Sequence, residues 1–385
     1  MALGYSSFRR NVDQSLGQKI LQVNWGLVLT VAGIGAVGVV MLYSAAQGSM
    51  DPWASRQLIR LGAGLLLMLA LALVDIRVWF RYAYLIYFAT LALLFGVEIG
   101  GSIGMGAQRW LDLGFVQIQP SEIMKVALIL ALARYFHGLN QEDVARPHFL
   151  VLPLLLIFAA AGLVLKQPDL GTAGVLILIG GALFFAAGVR LWKFALVLAG
   201  GLSAIPIAWQ FLHDYQRARI KTFLDPERDP LGAGYHILQS KIALGSGGMG
   251  GRGFLQGSQS YLNFLPEKHT DFIYTMLAEE FGLIGALTVL GLFLIVLAYG
   301  LAISLRARNH FGRLLALGIT CHVFLYVFIN VAMVTGLIPV VGVPLPLISY
   351  GGTALLAVMC SLGIMISVYV HRDIRISRRG LQGED

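Results

Sequence analysis

Four ionisable side chains stand together in residues 265–274, LPEKHTDFIY. Glu267, Lys268, His269 and Asp271 fall within five residues, and a long apolar run begins directly behind them. Charges at the edge of such a run can simply mark where water ends. A carboxylate there can also act as a general base, if a substrate hydroxyl comes within hydrogen-bond reach. His269 has two interpretations as well, a partner at a helix start or an aid to Asp271.

A second pair of ionisable residues lies in SEIMK, where Glu122 and Lys125 stand three residues apart. This spacing puts both side chains on one helical face, where they can pair. The pair either supports the start of a helix or faces a cavity, where it orients an anionic ligand or a neighbouring acid. Arg109 lies beside Trp110 in GAQRWLDLG. It is either a bilayer anchor or a guanidinium fork that holds a phosphate.

Three more acids lie near these stretches. Asp169 belongs to KQPDLGT, in which Pro168 and Gly171 indicate a tight turn, and it is a candidate second acid. Glu279 and Glu280 are adjacent in the apolar run that follows Asp271. Adjacent residues point about 100° apart on a helix, so both cannot face one partner.

The uncharged stretch 344–353, PLPLISYGGT, contains two prolines and two glycines. Prolines break helices, and non-helical backbone at membrane depth is tolerated only beside protein or a cavity. We therefore expect this segment to dip back into the protein and line a cleft, with Ser349 and Tyr350 supplying hydroxyls.

A glycine-rich stretch, GSGGMGG at 245–251, formally matches the GxGxxG pattern of dinucleotide sites. It follows no buried strand, which such a site requires. We expect a flexible or close-packed glycine loop instead.

These residues must be positioned by membrane helices. The chain of 385 residues is 57% hydrophobic and 12% charged, with a mean hydropathy of +0.77, whereas soluble proteins are about 25% charged. Since a helix needs about 20 apolar residues to cross a bilayer, the pattern predicts an all-α membrane protein with ten spans. They are 24–46, which we interpret as a retained signal anchor, 57–74, 82–100, 121–138, 147–165, 172–189, 191–212, 272–302, 312–337 and 353–370.

The positive-inside rule sets the orientation. With the N-terminus inside, the inner segments hold sixteen of the 28 Lys and Arg residues, and the short outer loops and span edges hold five. The tails 1–23 and 371–385 are then cytoplasmic, and the whole chain forms one integral membrane domain. The long loop 213–271 is extracytoplasmic. Helical spacing in 215–224 and 235–244 predicts two short helices on the membrane surface.

Two other classes of protein are excluded by the distribution of residues. The net charge of +8 comes from short basic loops, without the basic stretches and interleaved aromatics of a nucleic-acid surface. Cys321 and Cys360 each lie inside a long apolar run. They are expected to be small buried hydrophobes rather than part of a disulfide framework or metal cluster.

Six motifs in this order resemble the SEDS family, the shape, elongation, division and sporulation proteins of bacterial cell-wall synthesis. They are GAQRWLDLG, QPSEIMK, QPDLGT, DPLGAGYHILQSKIALGSGG, LPEKHTDFIYTMLAEEFGLIG and PLPLISYGG, and the resemblance runs from about residue 20 to 378. The stretches YQRARIKTFLDPERDPLGAGYH and QGSQSYLNFLPEKHTDF look more like the elongation member of the family than the division member.

The resemblance implies a peptidoglycan glycosyltransferase that polymerises lipid II on the outer face of the bacterial inner membrane. It also implies a class B penicillin-binding protein as partner, within the elongation machinery of MreB, MreC and MreD. The family's essential acid lies at the position of Asp271, and its carboxylate suits the general base that activates a sugar hydroxyl.

The leaving pyrophosphate requires positive charge. The candidates on the outer side are Arg109, Lys125, Arg217, Arg219 and Lys241. No cofactor is required by the sequence, although a divalent cation, Mg²⁺ or Mn²⁺, can share the task. Glu122, Asp169, His269, Glu279, Ser349 and Tyr350 are expected to support the cavity.

Two other functions remain open from the sequence. A lipid II flippase would require an inward-open path and opposed symmetric halves, and the sequence shows neither. A non-catalytic scaffold that activates a penicillin-binding protein is the third candidate.

Overall fold

The computed structural model describes residues 15–104, 107–112, 114, 117–211, 214–225, 233–258 and 268–377. Most of this part of the chain is helical, with one small sheet. The helices are α1 (Leu16–Gln22), α2 (Trp25–Ala45), α3 (Ala54–Leu73), α4 (Ile76–Gly100), α5 (Pro120–His137), α6 (Gln141–Ala145), α7 (His148–Lys166), α8 (Leu170–Ala186), α9 (Leu191–Phe211), α10 (Asp214–Leu224), α11 (Ala233–Ser246), α12 (Ile273–Arg306), α13 (His310–Val334) and α14 (Gly352–Val370). The strands are β1 (Ser102–Gly104), β2 (Ala107–Asp112) and β3 (Gln117–Ile118).

The all-α membrane class is confirmed. Within the described ranges, seven helices are long and apolar enough to cross a membrane: α2, α3, α4, α7, α12, α13 and α14. The shorter helix α8 and the first part of α9 are also apolar. Each of the ten predicted spans coincides with one helix. Nine of these helices are the ones just named, and the remaining one is α5, which corresponds to the predicted span 121–138. The count of ten membrane crossings stays a prediction, because helix length and composition alone do not place a bilayer.

Side-chain caps explain where several of these helices begin. The side chains of Asn24, Asp75, Asp169 and Asn309 accept hydrogen bonds from backbone N–H groups in the first turns of α2, α4, α8 and α13. These N–H groups have no partner inside the helix, so each cap stabilises a defined start. Pro120 at the first position of α5 acts in the same way, since its missing N–H would have been unpaired anyway.

The helix α5 lies at the centre of the bundle. Fifteen of its eighteen residues are buried, including Glu122 and Lys125. Its neighbours include α4, α8 and α13. The sequence signal for this span is weak because α5 carries charges. The structure explains how a charged helix can lie here. The charged side chains of α5 pack against protein, and intramembrane charges are tolerated where they face the bundle interior.

A three-stranded antiparallel sheet between α4 and α5 was not predicted. Ser102 pairs with Trp110, and Leu111 pairs with Ile118. The strands are two to six residues long, too short to show a clear period of two in the sequence. The Thr353 hydroxyl at the start of α14 donates to the Gln117 carbonyl (3.1 Å), so the sheet is tied to the bundle.

The long loop that was predicted to be extracytoplasmic contains the two helices that its spacing predicts, α10 and α11. The Ser240 side chain of α11 is fully buried. Its hydroxyl lies 2.8 Å from the Thr275 hydroxyl of α12 and donates to the Val334 carbonyl at the end of α13 (2.7 Å). The second half of the loop is therefore anchored in the bundle.

Helix α12 is broken at Gly282, whose φ of 66° and ψ of −164° suit glycine but few other residues. The glycine-rich stretch 245–251 packs into this break. A Cβ at Gly247 would lie 2.1 Å from the Ala278 carbonyl oxygen, and one at Gly251 would lie 2.1 Å from the Glu280 carbonyl oxygen. The expectation of a close-packed glycine loop is confirmed.

Four backbone hydrogen bonds replace those that the break removes from α12. The N–H groups of Arg252 and Gly253 donate to the carbonyls of residues 279 and 280, both at 3.0 Å. In return, the N–H groups of Leu283 and Ile284 donate to the carbonyls of residues 248 and 249, at 2.9 and 3.2 Å. We call this interlock of residues 247–253 with 278–284 the glycine clamp. It divides α12 into a short first part, which follows Asp271, and a longer second part.

Candidate active site

Asp271 lies two residues before α12 and is half-buried. Its motif is held through three consecutive carbonyls. The His269 carbonyl accepts from the Tyr350 N–H (2.9 Å), the Thr270 carbonyl from the Ser349 hydroxyl (2.7 Å), and the Asp271 carbonyl from the Asn330 side-chain amide (3.0 Å). The main chain at Asp271 is therefore fixed by α13 and by the segment between α13 and α14. We call this set of contacts the Asp271 cradle.

The segment that forms one wall of the cradle is the predicted re-entrant stretch. Residues 337–351 contain no helix, and Leu345, Leu347 and Ile348 are buried. The burial predicted for this segment is therefore confirmed. The Asp271 carboxylate lies close to Gly342 in this segment, since a Cβ added at Gly342 would be 3.6 Å from Asp271 Oδ2.

Ser349 makes hydrogen bonds within its own segment, to the Asp271 motif and to α3. Its hydroxyl accepts from the Leu345 N–H (2.8 Å) while donating to the Thr270 carbonyl. The Ser349 carbonyl accepts from the buried side-chain amide of Gln57 on α3 (3.2 Å). These contacts fix Ser349 beside the Asp271 motif, with α3 as a second support, and its role at a substrate cavity stays a prediction.

His269 is packed between aromatic rings at the same end of the bundle. Its ring stacks on Trp53 with centroids 4.4 Å apart, and the Tyr350 ring lies 6.1 Å away. The guanidinium of Arg60 lies 4.9 Å from the Tyr350 ring centroid. The sequence does not identify Arg60 as a candidate site residue, because nothing in its spacing points to the Asp271 motif.

Glu122 and Lys125 form the predicted pair. Lys125 Nζ lies 2.6 Å from Glu122 Oε1, and the Tyr326 hydroxyl lies 2.9 and 2.8 Å from the two oxygens of this carboxylate. Lys125 is 0% exposed, and its ammonium lies 4.3 Å from the Tyr326 ring centroid. In this conformation Lys125 is therefore sealed away from a substrate, and its predicted role at the pyrophosphate would require the pair to open.

Helix α13 connects this pair to the Asp271 cradle. Tyr326 binds Glu122, and Asn330, four residues later, binds the Asp271 carbonyl. Residues four apart lie on one face of a helix. One face of α13 therefore carries both groups, although the shared cavity for Glu122, Lys125 and Asp271 stays a prediction.

Arg109 acts as a structural clamp on the turn between α7 and α8. Its guanidinium donates to the carbonyls of Gln167 (3.1 Å) and Pro168 (2.5 Å), and it lies 3.9 Å from the Asp169 carboxylate. Asp169 in turn accepts from the Thr172 N–H and hydroxyl, both at 3.0 Å. Its fork thus holds main-chain carbonyls and lies near an acid of the protein itself, while the roles of bilayer anchor and phosphate binding stay predictions.

The two adjacent glutamates of α12 have different partners, as their angular separation predicts. Glu279 accepts from the Ser258 hydroxyl (3.2 Å), whereas Glu280 accepts from the Ser44 hydroxyl on α2. Both carboxylates are buried. They hold the glycine clamp and the end of α2 rather than facing Asp271 together.

Lys268 is more deeply buried than a residue at the edge of water. It is 5% exposed, and it interacts electrostatically with Glu280. Burial lowers the pKa of Lys268, and the Glu280 carboxylate partly opposes this change. The interpretation of Lys268 as a plain boundary charge is therefore wrong. Glu267 lies outside the described residues.

The remaining predicted cations lie on the loop helices. Arg217 donates to the carbonyls of Trp209 (3.1 Å) and Gln210 (2.8 Å), so it joins α10 to the end of α9. The backbone of Arg219 is helical, and its side chain is outside the described residues. Lys241 on α11 is exposed.

A metal site is not evident in the described part of the chain. No group of three or more His, Cys, Asp or Glu side chains is placed there to hold an ion. These residues therefore do not form a ready site for the divalent cation that the sequence leaves open.

Known proteins are similar to this chain over nearly its whole length. The family model FTSW_RODA_SPOVE, described as "Cell cycle protein", matches residues 24–374. "Peptidoglycan glycosyltransferase MrdB" of Escherichia coli (strain K12) is 47% identical over 345 residues, which cover 87% of this chain and 92% of that protein. A solved structure described as "Structural coordination of polymerization and crosslinking by a peptidoglycan synthase complex" matches with a TM-score of 0.78 and 37% identity, covering 91% of this chain and 98% of the other. The crystal structure of the Thermus thermophilus Rod shape determining protein RodA matches with a TM-score of 0.69 and 33% identity, covering 91% and 98%. The chain therefore belongs to the FTSW_RODA_SPOVE family of cell cycle proteins, the SEDS family that its motifs resemble.

Proposed function

We propose that this protein is a peptidoglycan glycosyltransferase that polymerises lipid II into glycan strands during cell elongation, with Asp271 as the general base. One observation carries the assignment of the base. The main chain around Asp271 is held at three consecutive carbonyls while its carboxylate stays half-buried beside Gly342. A base whose backbone is fixed in this way is pre-organised for proton transfer. The naming of MrdB as a peptidoglycan glycosyltransferase supports the reaction class.

The proposed reaction is a single displacement. The 4-hydroxyl of the acceptor sugar gives its proton to Asp271 as its oxygen forms a bond to the anomeric carbon of the donor. The bond from that carbon to the pyrophosphate oxygen breaks, and undecaprenyl pyrophosphate leaves with the electron pair. One base and no covalent sugar–enzyme intermediate give inversion at the anomeric carbon.

The leaving pyrophosphate needs positive charge close to Asp271. Of the predicted cations, Arg109 and Arg217 donate to main-chain carbonyls, and Lys125 is sealed by Glu122. The exposed Lys241 and the Arg60 guanidinium beside Tyr350 are better placed to meet a substrate. We propose these two for the anionic part of lipid II in the present conformation.

The positive-inside rule supports an arrangement in which Asp271 faces the outside of the bacterial inner membrane and both termini are cytoplasmic. A class B penicillin-binding protein is the proposed partner, within the machinery of MreB, MreC and MreD. The solved peptidoglycan synthase complex, described in terms of polymerization and crosslinking, supports a partner of this kind.

Purified full-length protein mixed with lipid II in detergent tests the proposed reaction. Glycan polymer should accumulate, alone or after a class B penicillin-binding protein is added. If the protein makes no polymer with the partner present but moves lipid II across liposome membranes, the flippase replaces this proposal. If the protein neither makes polymer nor moves lipid II, a non-catalytic scaffold replaces the proposed enzyme.

A further inference from the structure

Asn330 on α13 is a fully buried polar residue in an otherwise apolar stretch. Its amide nitrogen donates to two main-chain carbonyls, that of Asp271 at 3.0 Å and that of Val343 at 2.8 Å. Because both neighbours are acceptors, the nitrogen must face them. The amide thus joins the motif before α12 to the segment after α13.

These two carbonyls belong to the two chain segments that meet near the Asp271 carboxylate. One belongs to Asp271 itself. The other belongs to the residue directly after Gly342, where an added Cβ would lie 3.6 Å from Asp271 Oδ2. A single amide group therefore sets the distance between the proposed base and the wall beside it.

The chemistry of the amide suits this task better than that of most other small polar side chains. An amide offers two N–H donors without charge, whereas a hydroxyl offers one and a carboxylate offers none when ionised. Asn330 Oδ1 is buried and has no hydrogen-bond partner among the described residues. A buried unpaired acceptor costs stability, which indicates that the residue serves its two donor contacts rather than stability alone.

We propose that Asn330 is a positioning residue for Asp271, assisted by Ser349, which holds the preceding carbonyl. This inference rests on the proposed function, in which Asp271 is the general base. Asn330 does not touch the substrate: it holds Asp271 and Gly342 so that the carboxylate meets the acceptor hydroxyl.

Asn330→Leu is the first test, since leucine has a similar volume and no donor. A misplacement of about 1 Å at a reacting group costs on the order of 100-fold in rate, so we expect kcat for glycan polymerisation to fall about 10- to 100-fold. KM for lipid II should stay within about two-fold, because the lost contacts are not with the substrate. Thr320→Val is the matched control. It removes a buried hydroxyl on the same helix that donates to the helix carbonyl at Ala316 (2.7 Å) and lies 3.8 Å from Met365 sulfur. Its kcat should remain near that of the native protein.

Asn330→Asp gives a signature that a merely structural role would not produce. The ionised carboxylate offers no donor to the two carbonyls, whereas the protonated acid can donate to one of them. The ratio of its kcat to that of the native protein, measured at each pH, should therefore rise as pH falls. The same ratio for Asn330→Leu should not depend on pH.

Native-like kcat for Asn330→Leu would overturn the inference, as would a raised KM with unchanged kcat. If Asn330→Leu does not fold, Ser349→Ala tests whether the Asp271 cradle positions the base. We expect this variant to have a several-fold lower kcat with unchanged KM. An unchanged kcat would reject the positioning role of the cradle. Asp271→Asn separates the two proposals. If Asp271→Asn polymerises like the native protein, the general base is wrong. If Asp271→Asn is inactive while Asn330→Leu is fully active, only the positioning role is wrong.

Discussion

The glycine clamp allows a sharp prediction about a single methyl group. In Gly247→Ala the new Cβ would lie 2.1 Å from the Ala278 carbonyl oxygen and 3.0 Å from its carbon, both part of the α12 backbone. Neither atom belongs to a flexible side chain that can turn away. The loop must therefore retreat from α12 by about 1.4 Å, since buried carbon and oxygen atoms pack at about 3.5 Å.

The expected loss in the free energy of unfolding follows from the contacts that such a retreat weakens. Four backbone hydrogen bonds join the loop to α12 at the clamp. Each contributes about 0.5–1.5 kcal/mol net, and buried groups left unpaired cost about 1–3 kcal/mol. If half of these bonds are lost, the two missing bonds lower the free energy of unfolding of the first part of α12 by about 1–3 kcal/mol net.

Gly245→Ala is the matched control two residues away. A Cβ at Gly245 meets no atom within 4 Å, and this residue lies in the last turn of α11. Alanine in a helix is favoured over glycine by up to about 1 kcal/mol. The two substitutions should therefore change stability in opposite directions.

Thermal unfolding in detergent measures the difference, with a thiol-reactive dye reporting the exposure of Cys321 and Cys360. Both cysteines are free and partly buried in helices, so they react as the bundle opens. We expect the midpoint of Gly247→Ala to fall by about 5 °C and its polymerisation to fall with it. Equal midpoints for Gly247→Ala and Gly245→Ala would refute the clamp as a stabilising contact.

Three further substitutions test the buried polar contacts. Tyr326→Phe removes the hydroxyl that lies on the Glu122 carboxylate, and thermal unfolding should show a loss of about 1–3 kcal/mol. Lys125→Met leaves the Glu122 charge uncompensated at a cost of about 3–5 kcal/mol. The double variant Lys125→Met with Glu122→Gln should recover most of that loss, and a double variant no more stable than Lys125→Met would contradict the pairing. Arg109→Lys loses the fork on the turn before α8, so limited proteolysis there should become faster, and unchanged proteolysis would argue against the clamp role of Arg109.

The helices were predictable because their signal is local. Each apolar run of suitable length became a helix, including α5, and the two loop helices follow from periodic spacing. The position of Asp271 was also accessible, since a charged motif directly before an apolar run must lie at the end of a helix. The pairing of Glu122 with Lys125 followed from their spacing of three residues.

The residues that the sequence did not reveal act on distant main-chain atoms. Asn330 is a single polar residue in an apolar span, and its partners lie 59 and 13 residues away. Neither partner has a side-chain signature, because both accept through carbonyls. The contacts of Arg109 could not be predicted for the same reason, because it binds carbonyls 58 and 59 residues later. The close fit of Gly247 against the α12 backbone could not be predicted either.

The most direct test of the account compares Asp271→Asn with Asp51→Asn in a polymerisation assay with purified protein and lipid II. Both changes are nearly isosteric. Asp51 is exposed and accepts a hydrogen bond from the Ser55 hydroxyl (2.9 Å) that an asparagine oxygen can also accept. If Asp271 is the general base, its variant should fold and bind lipid II but lose at least about 100-fold in polymerisation rate, while Asp51→Asn keeps the native rate. Equal glycan synthesis by the native protein and Asp271→Asn would contradict the central claim.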